Sequence, residues 1–108
     1  MPDNYRDKYS IFNLKYSIAM LARHIIVKGQ VQGVFFRKYT KQKAQQLNIK
    51  GWVRNLPDDS VEIIAQGDKK NLQQFIEWCK RGPSNASVTD VIAEEISAES
   101  FREFSILK

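Results

Sequence analysis

Hydrophobic positions along this chain of 108 residues change their spacing several times, and each change marks an element. The run His24-Ile25-Ile26-Val27-Lys28 is apolar and β-branched, which predicts a first strand from about Arg23 to Gln30. A helix is expected from about Phe36 to Leu47. Ile49 to Gln66 reads as a hairpin: a strand ending at Asn55, a turn at Pro57-Asp58-Asp59, and a returning strand from Ser60 to Gly67. Leu72, Phe75, Ile76 and Cys79 fall on one face of a helix spanning about Lys69 to Lys80, and Gly82-Pro83 supplies the stop. A further strand lies within Val88 to Ile96, and Phe104-Ser105-Ile106-Leu107 suggests a short last one. The order is βαββαβ, an α+β sandwich with two helices on one face of a mainly antiparallel sheet. The start of the chain fits two periods. Phe12, Leu14, Tyr16, Ile18 and Met20 alternate like a strand, whereas Ile11, Leu14, Ile18 and Leu21 match a helix.

Composition narrows the class without choosing a function. Hydrophobic residues make up 43% and charged residues 27%, as expected for one globular domain with a modest core. The net charge of +5, from 17 basic and 12 acidic residues, favours anionic partners, whether nucleic acid or a small phosphorylated acid. One cysteine, Cys79, cannot build an internal disulfide or a cysteine-rich metal site, and its spacing places it in the core. No window is apolar enough to span a membrane, and the first residues lack the apolar core of a signal peptide, so a cytoplasmic, cofactor-free, metal-free domain is expected. Asn85-Ala86-Ser87 fits a glycosylation pattern that has no meaning in that setting.

The chemistry concentrates between the first strand and the first helix, in Gly29-Gln30-Val31-Gln32-Gly33-Val34-Phe35-Phe36-Arg37. Two glycines let the backbone curl so that several N–H groups point into one concavity. The following helix adds its free N-terminal donors and the positive end of its dipole. Arg37 adds a forked cation suited to phosphate. The spacing is neither a P-loop nor a dinucleotide fingerprint. On these residues alone, an anion cradle competes with a plain strand-to-helix turn carrying a surface arginine.

A second block, Gly51-Trp52-Val53-Arg54-Asn55, leads into the hairpin and its closing Gly67. With the loop Gly29-Gln30-Val31-Gln32-Gly33-Val34-Phe35-Phe36-Arg37, it closely resembles the double signature of the acylphosphatase family. Gly82-Pro83, Ala86 and Val88 match that family's approach to its late strand, and the resemblance runs from about Ala22 to Lys108. It implies a ferredoxin-like βαββαβ sandwich that hydrolyses small acyl phosphates, with Arg37 and Asn55 as catalytic residues. The backbone amides of Gln32, Gly33, Val34, Phe35 and Phe36 would hold the phosphate. It also implies a domain over residues 22–108 preceded by an extension over 1–21, with initiation at Met20 as an alternative. A monomer without nucleic-acid or membrane partners is expected. The chain departs from the family at Asp59, where glycine is usual in the hairpin turn.

An acyl phosphate is a mixed anhydride with a good leaving group, so its hydrolysis needs charge stabilisation and a positioned water more than acid–base help. Arg37 and the amides suit the first task. The carboxamide of Asn55, both donor and acceptor, suits the second. Several neighbours have competing readings. His24 is expected to be structural or solvent-facing rather than a base. Thr40 either supports the cradle or faces the core. Lys38, Lys41 and Lys43 either steer anions or form a solvated face. Trp52 and Trp78 suggest packing, with Trp52 a candidate border for the acyl group. Two other functions remain open: a non-catalytic anion-binding module, and an RNA-binding sheet face, although the RNA-recognition strand pattern is missing.

Overall fold

The computed structural model describes residues 20–108, and the periods of the sequence become seven elements there. Strand β1 (Leu21–Gln30) begins slightly ahead of the expected Arg23 and buries Ile25 and Val27 on one face. Helix α1 (Phe36–Gln46) buries Phe36, Thr40 and Ala44, one stripe at four-residue spacing. Thr40 is fully buried, and its Oγ1 donates to the Phe36 carbonyl at 2.7 Å, so it is a core-facing residue tied back within its own helix. Strands β2 (Lys50–Asn55) and β3 (Val61–Gly67) form the expected hairpin.

The turn between them runs through Pro57, Asp58 and Asp59, as expected. The Leu56 carbonyl accepts from Asp59 N at 3.2 Å, and Leu56 N donates to the Ser60 carbonyl at 2.9 Å. Pro57 and Asp58 are therefore the central residues, and only Asp59 is left-handed, at φ 74°. Proline's fixed φ suits the first central position, and the extra residue must then turn left-handed to bring the strands back into register. Asp58 braces the turn by accepting from the Ser60 hydroxyl at 2.5 Å and from Ser60 N at 3.1 Å, and that bonding holds its carboxyl below the ordinary range.

Helix α2 (Lys69–Arg81) starts at Asp68, whose side chain accepts from Asn71 N at 2.8 Å, and buries Leu72, Phe75 and Cys79. It stops at Gly82, where φ is 67° and a Cβ would lie 2.8 Å from Phe36 Cε2. Strand β4 (Ser87–Ile96) is an exposed edge, and β5 (Phe104–Ile106) is the short last strand. The sheet order is β4-β1-β3-β2-β5, antiparallel except between β2 and β5. This is the ferredoxin-like arrangement. The core joins strand residues such as Ile25, Val53 and Ile63 to Phe36, Ala44, Leu72, Phe75 and Cys79 of the helices. Residues 1–19, where the strand-like and helical periods of the first segment compete, lie outside the described residues.

Candidate active site

The loop from Val31 to Phe35 is anchored at both ends by buried side chains, Val31 and Phe36. Phe36 packs against Trp78 with ring centroids 5.8 Å apart, in the space that Gly82 leaves by lacking a Cβ. Between these anchors Gly33 (φ 75°) and Phe35 (φ 62°) are left-handed. Alternating such residues with ordinary ones curls the chain and gathers its N–H groups on one side. None of the amides from Gln32 to Phe36 donates to another group among the described residues, while the Phe35 carbonyl accepts the first helical bond, from Tyr39 N at 3.1 Å. These five N–H groups precede or open the helix without a partner among the described residues, where its dipole is positive.

Arg37 follows immediately and is half-buried. Its Nη1 donates to the Leu107 carbonyl at 3.3 Å, and no carboxylate pairs with it among the described residues. Asn55, the last residue of β2, has a buried Oδ1 with no hydrogen-bond partner among the described residues. An acceptor left in that condition costs about 1–3 kcal/mol, so its presence calls for a functional reason. Gly33, Phe35, Phe36, Arg37 and Asn55 line one cleft of about 300 Å³, together with Val31, Gln32, Lys38 and Ile106. The cleft holds two cations and no acidic side chain. Val34 does not line this cleft; with Phe35, Tyr39, Lys43 and Trp78 it lines a neighbouring groove of about 390 Å³. Among the described residues no three metal-ligating side chains cluster, and no helix is long and apolar enough to cross a membrane.

His24 and Trp52 are not part of this cleft. They alternate with the buried residues Ile25 and Val53, and so lie on the sheet face turned away from the helices. There His24 Nε2 lies 2.7 Å from Glu62 Oε2, and the Arg54 guanidinium lies 5.2 Å from the Trp52 ring centre. Trp52 therefore does not border the cleft; Phe35 and Ile106 do. Of the three lysines, only Lys38 reaches the cleft.

With this geometry in place, comparison with known proteins is decisive. The acylphosphatase family model matches residues 23–106. The chain belongs to the acylphosphatase family. An acylphosphatase of Marinobacter nauticus is 49% identical over 82 residues, covering 75% of this chain and 89% of that protein. The solved acylphosphatase of Coxiella burnetii superposes with a TM-score of 0.84 at 36% identity, over 86% of this chain and 98% of that one. The Bacillus subtilis acylphosphatase gives 0.79 at 42% identity, over 82% and 99%.

Within this acylphosphatase fold, two supports of the cleft escape a reading of motifs. The Gln32 side chain donates through Nε2 to the carbonyls of Leu56, at 2.9 Å, and Ser60, at 2.8 Å. It lashes the cradle loop to the turn that follows Asn55, so the two blocks are held in fixed relation. The other support is the Leu107 carbonyl on Arg37, delivered because β5 runs beside β2 and Leu107 N donates to the Val53 carbonyl at 2.8 Å. In sequence it is hinted at only by the apolar run Phe104-Ser105-Ile106-Leu107, which suggests a last strand without saying where it pairs.

Proposed function

We propose that this chain hydrolyses small acyl phosphates to a carboxylate and inorganic phosphate, with Arg37 and Asn55 as its catalytic residues. The amides of Gln32, Gly33, Val34, Phe35 and Phe36, with the Arg37 guanidinium, hold the phosphoryl oxygens and spread their growing charge. Asn55 Oδ1 accepts a hydrogen bond from a water and aims its oxygen at phosphorus, in line with the acyl oxygen. The water oxygen–phosphorus bond forms as the phosphorus–acyl oxygen bond breaks. The carboxylate leaves with the electron pair, and the proton of the water passes to a phosphoryl oxygen of the substrate itself. The observation that carries this reading is the pairing, in one cleft, of an arginine without a carboxylate and an asparagine oxygen without a partner.

A monomer acting without a nucleic-acid partner is part of the same proposal. The buried unpaired Cys79, whose thiol burial pushes up, suits a reducing, cytoplasmic setting. Hydrolysis of benzoyl phosphate in ¹⁸O-labelled water tests the chemistry. The label should enter phosphate, and turnover should persist in chelator. Label in benzoate would mean attack at the carbonyl carbon, and a folded protein without turnover would leave a binding module.

A further inference from the structure

Phe35 breaks three local rules at once. It occupies the N-cap of α1 without a capping side chain, where Ser, Thr, Asp or Asn would satisfy a free N–H. It is left-handed, at φ 62°, a conformation that costs a residue with a bulky side chain about 1–2 kcal/mol. It also keeps 69% of its surface exposed, the most exposed large apolar residue in the described chain. Glycine or asparagine would serve the backbone better on every count. Strain and exposure together at the rim of an active cleft point to a task for the ring.

The position of the ring says what that task is. Gln32, at the start of the loop, is tied to Leu56 and Ser60 and therefore lies at the Asn55 end of the cleft. Phe35 is at the other end of the same loop. In an in-line displacement the leaving group departs opposite the attacking water, which places it towards Phe35 and away from Asn55. Ile106, 40% exposed on β5, also lines the cleft. Lys38 Nζ lies 5.8 Å from the Phe35 ring centre and the same distance from that of Tyr39, a contact that restrains the ring.

We infer that Phe35 and Ile106 form the subsite for the acyl half of the substrate, and that it selects aromatic or bulky apolar acyl phosphates over small ones. This rests on the reading of Arg37 and the loop amides as the phosphoryl site. The ring gains an apolar partner when such a substrate binds, so the exposure that is unfavourable in the free protein becomes contact area in the complex. A small acyl group such as acetyl reaches neither side chain and leaves the ring in water.

The test is the ratio of kcat/KM for benzoyl phosphate to that for acetyl phosphate, in the wild type and in Phe35→Asn, Phe35→Tyr and Ile106→Ala. Asparagine tolerates the left-handed backbone, and any damage to the phosphate cradle affects both substrates and cancels in the ratio. The ratio should fall about ten-fold in Phe35→Asn, carried by a higher KM for benzoyl phosphate, on the scale of losing one apolar contact in a substrate pocket. Phe35→Tyr should hold it within about two-fold, and Ile106→Ala should lower it about three-fold, on the same scale. If Phe35→Asn does not fold, Ile106→Ala decides by the same ratio. A wild type that hydrolyses both substrates, with a ratio that Phe35→Asn leaves unchanged, overturns the subsite alone. A ratio that moves with Tyr39→Ser but not with Ile106→Ala puts the acyl group in the neighbouring groove and also overturns it. A folded wild type that hydrolyses neither substrate overturns the underlying reading of the cleft instead.

Discussion

Arg54 and Arg37 sit on opposite faces of one sheet and have opposite surroundings. Arg54 Nε lies 2.6 Å from Glu62 Oε1, its guanidinium lies over Trp52, and Glu62 also bonds His24 at 2.7 Å. Its charge is neutralised on the spot. Arg37 has only a backbone carbonyl at 3.3 Å and shares its cleft with no acidic side chain. A cation held by a neutral group keeps its field for an incoming anion, whereas a cation paired with a carboxylate has used it. Residue type does not separate a structural arginine from a working one; the partner does.

The strongest way to break that contrast is to remove each arginine in turn. Arg37→Ala should lower kcat/KM for benzoyl phosphate by at least about 10²-fold, the scale for losing one preorganised donor. Arg54→Ala should change it by less than about two-fold, since a surface pair contributes mainly to stability. Similar losses in steady-state assays of the two variants would erase the distinction.

Asn55→Ala sharpens the same point from the other side of the cleft. Its kcat should fall at least about ten-fold while the inhibition constant for inorganic phosphate stays nearly unchanged, because its proposed partner is the water. Thermal unfolding should show no loss of stability, since the substitution removes a buried acceptor that has no partner. Weaker phosphate binding in this variant would make Asn55 a wall of the cradle instead.

On the open face, the expected effect is on stability and pH. Partial burial pushes the Glu62 carboxyl up, but hydrogen bonds to His24 and Arg54, with the charge of Arg54, outweigh it and leave the group below its ordinary range. The folded-state value lies below the unfolded one, so the carboxylate contributes stability above the ordinary range and loses it as pH falls through the folded value. Glu62→Gln should therefore cost about 1 kcal/mol near neutrality, after allowing for solvent screening. The gap between the two proteins in urea titrations should narrow as pH falls from neutrality through the ordinary carboxylate range and below it, with turnover at neutral pH unaffected. A gap that stays constant would mean that packing, and not the charge, matters at this position.

The smallest expected effect belongs to the hairpin turn. Asp59 is left-handed at φ 74°, as Phe35 is at 62°, but it does not line the cleft and has no ring to present. Asp59→Gly should relieve strain and remove one of two adjacent like charges, and this should outweigh glycine's greater unfolded-state entropy. A net gain of about 0.5–1 kcal/mol is expected, read as a higher denaturation midpoint at unchanged slope. Turnover should not change. An unchanged or lower midpoint would show that aspartate carries that φ without strain.

What the sequence determined by itself is what neighbours along the chain decide. The period-two and helical spacings gave the element order within a few residues, because each element is selected by its own apolar face. The Gly82-Pro83 stop and the positive φ at Gly33 are equally local. The exact turn at Asp59 was less legible, since a tight two-residue loop and a longer one share the same residues and differ in how the strands register. The two motif blocks named Arg37 and Asn55, but nothing local says that residues 18 positions apart in the numbering share a cleft. That required β3 to pair between β1 and β2 and α1 to cross back over the sheet. The carbonyl on Arg37 comes from 70 residues away, the carbonyls on Gln32 from 24 and 28, and the carboxylate on His24 from 38. Each of these partners is set by strand order and register, which only the packing of the whole core selects. So is the difference between the two arginines.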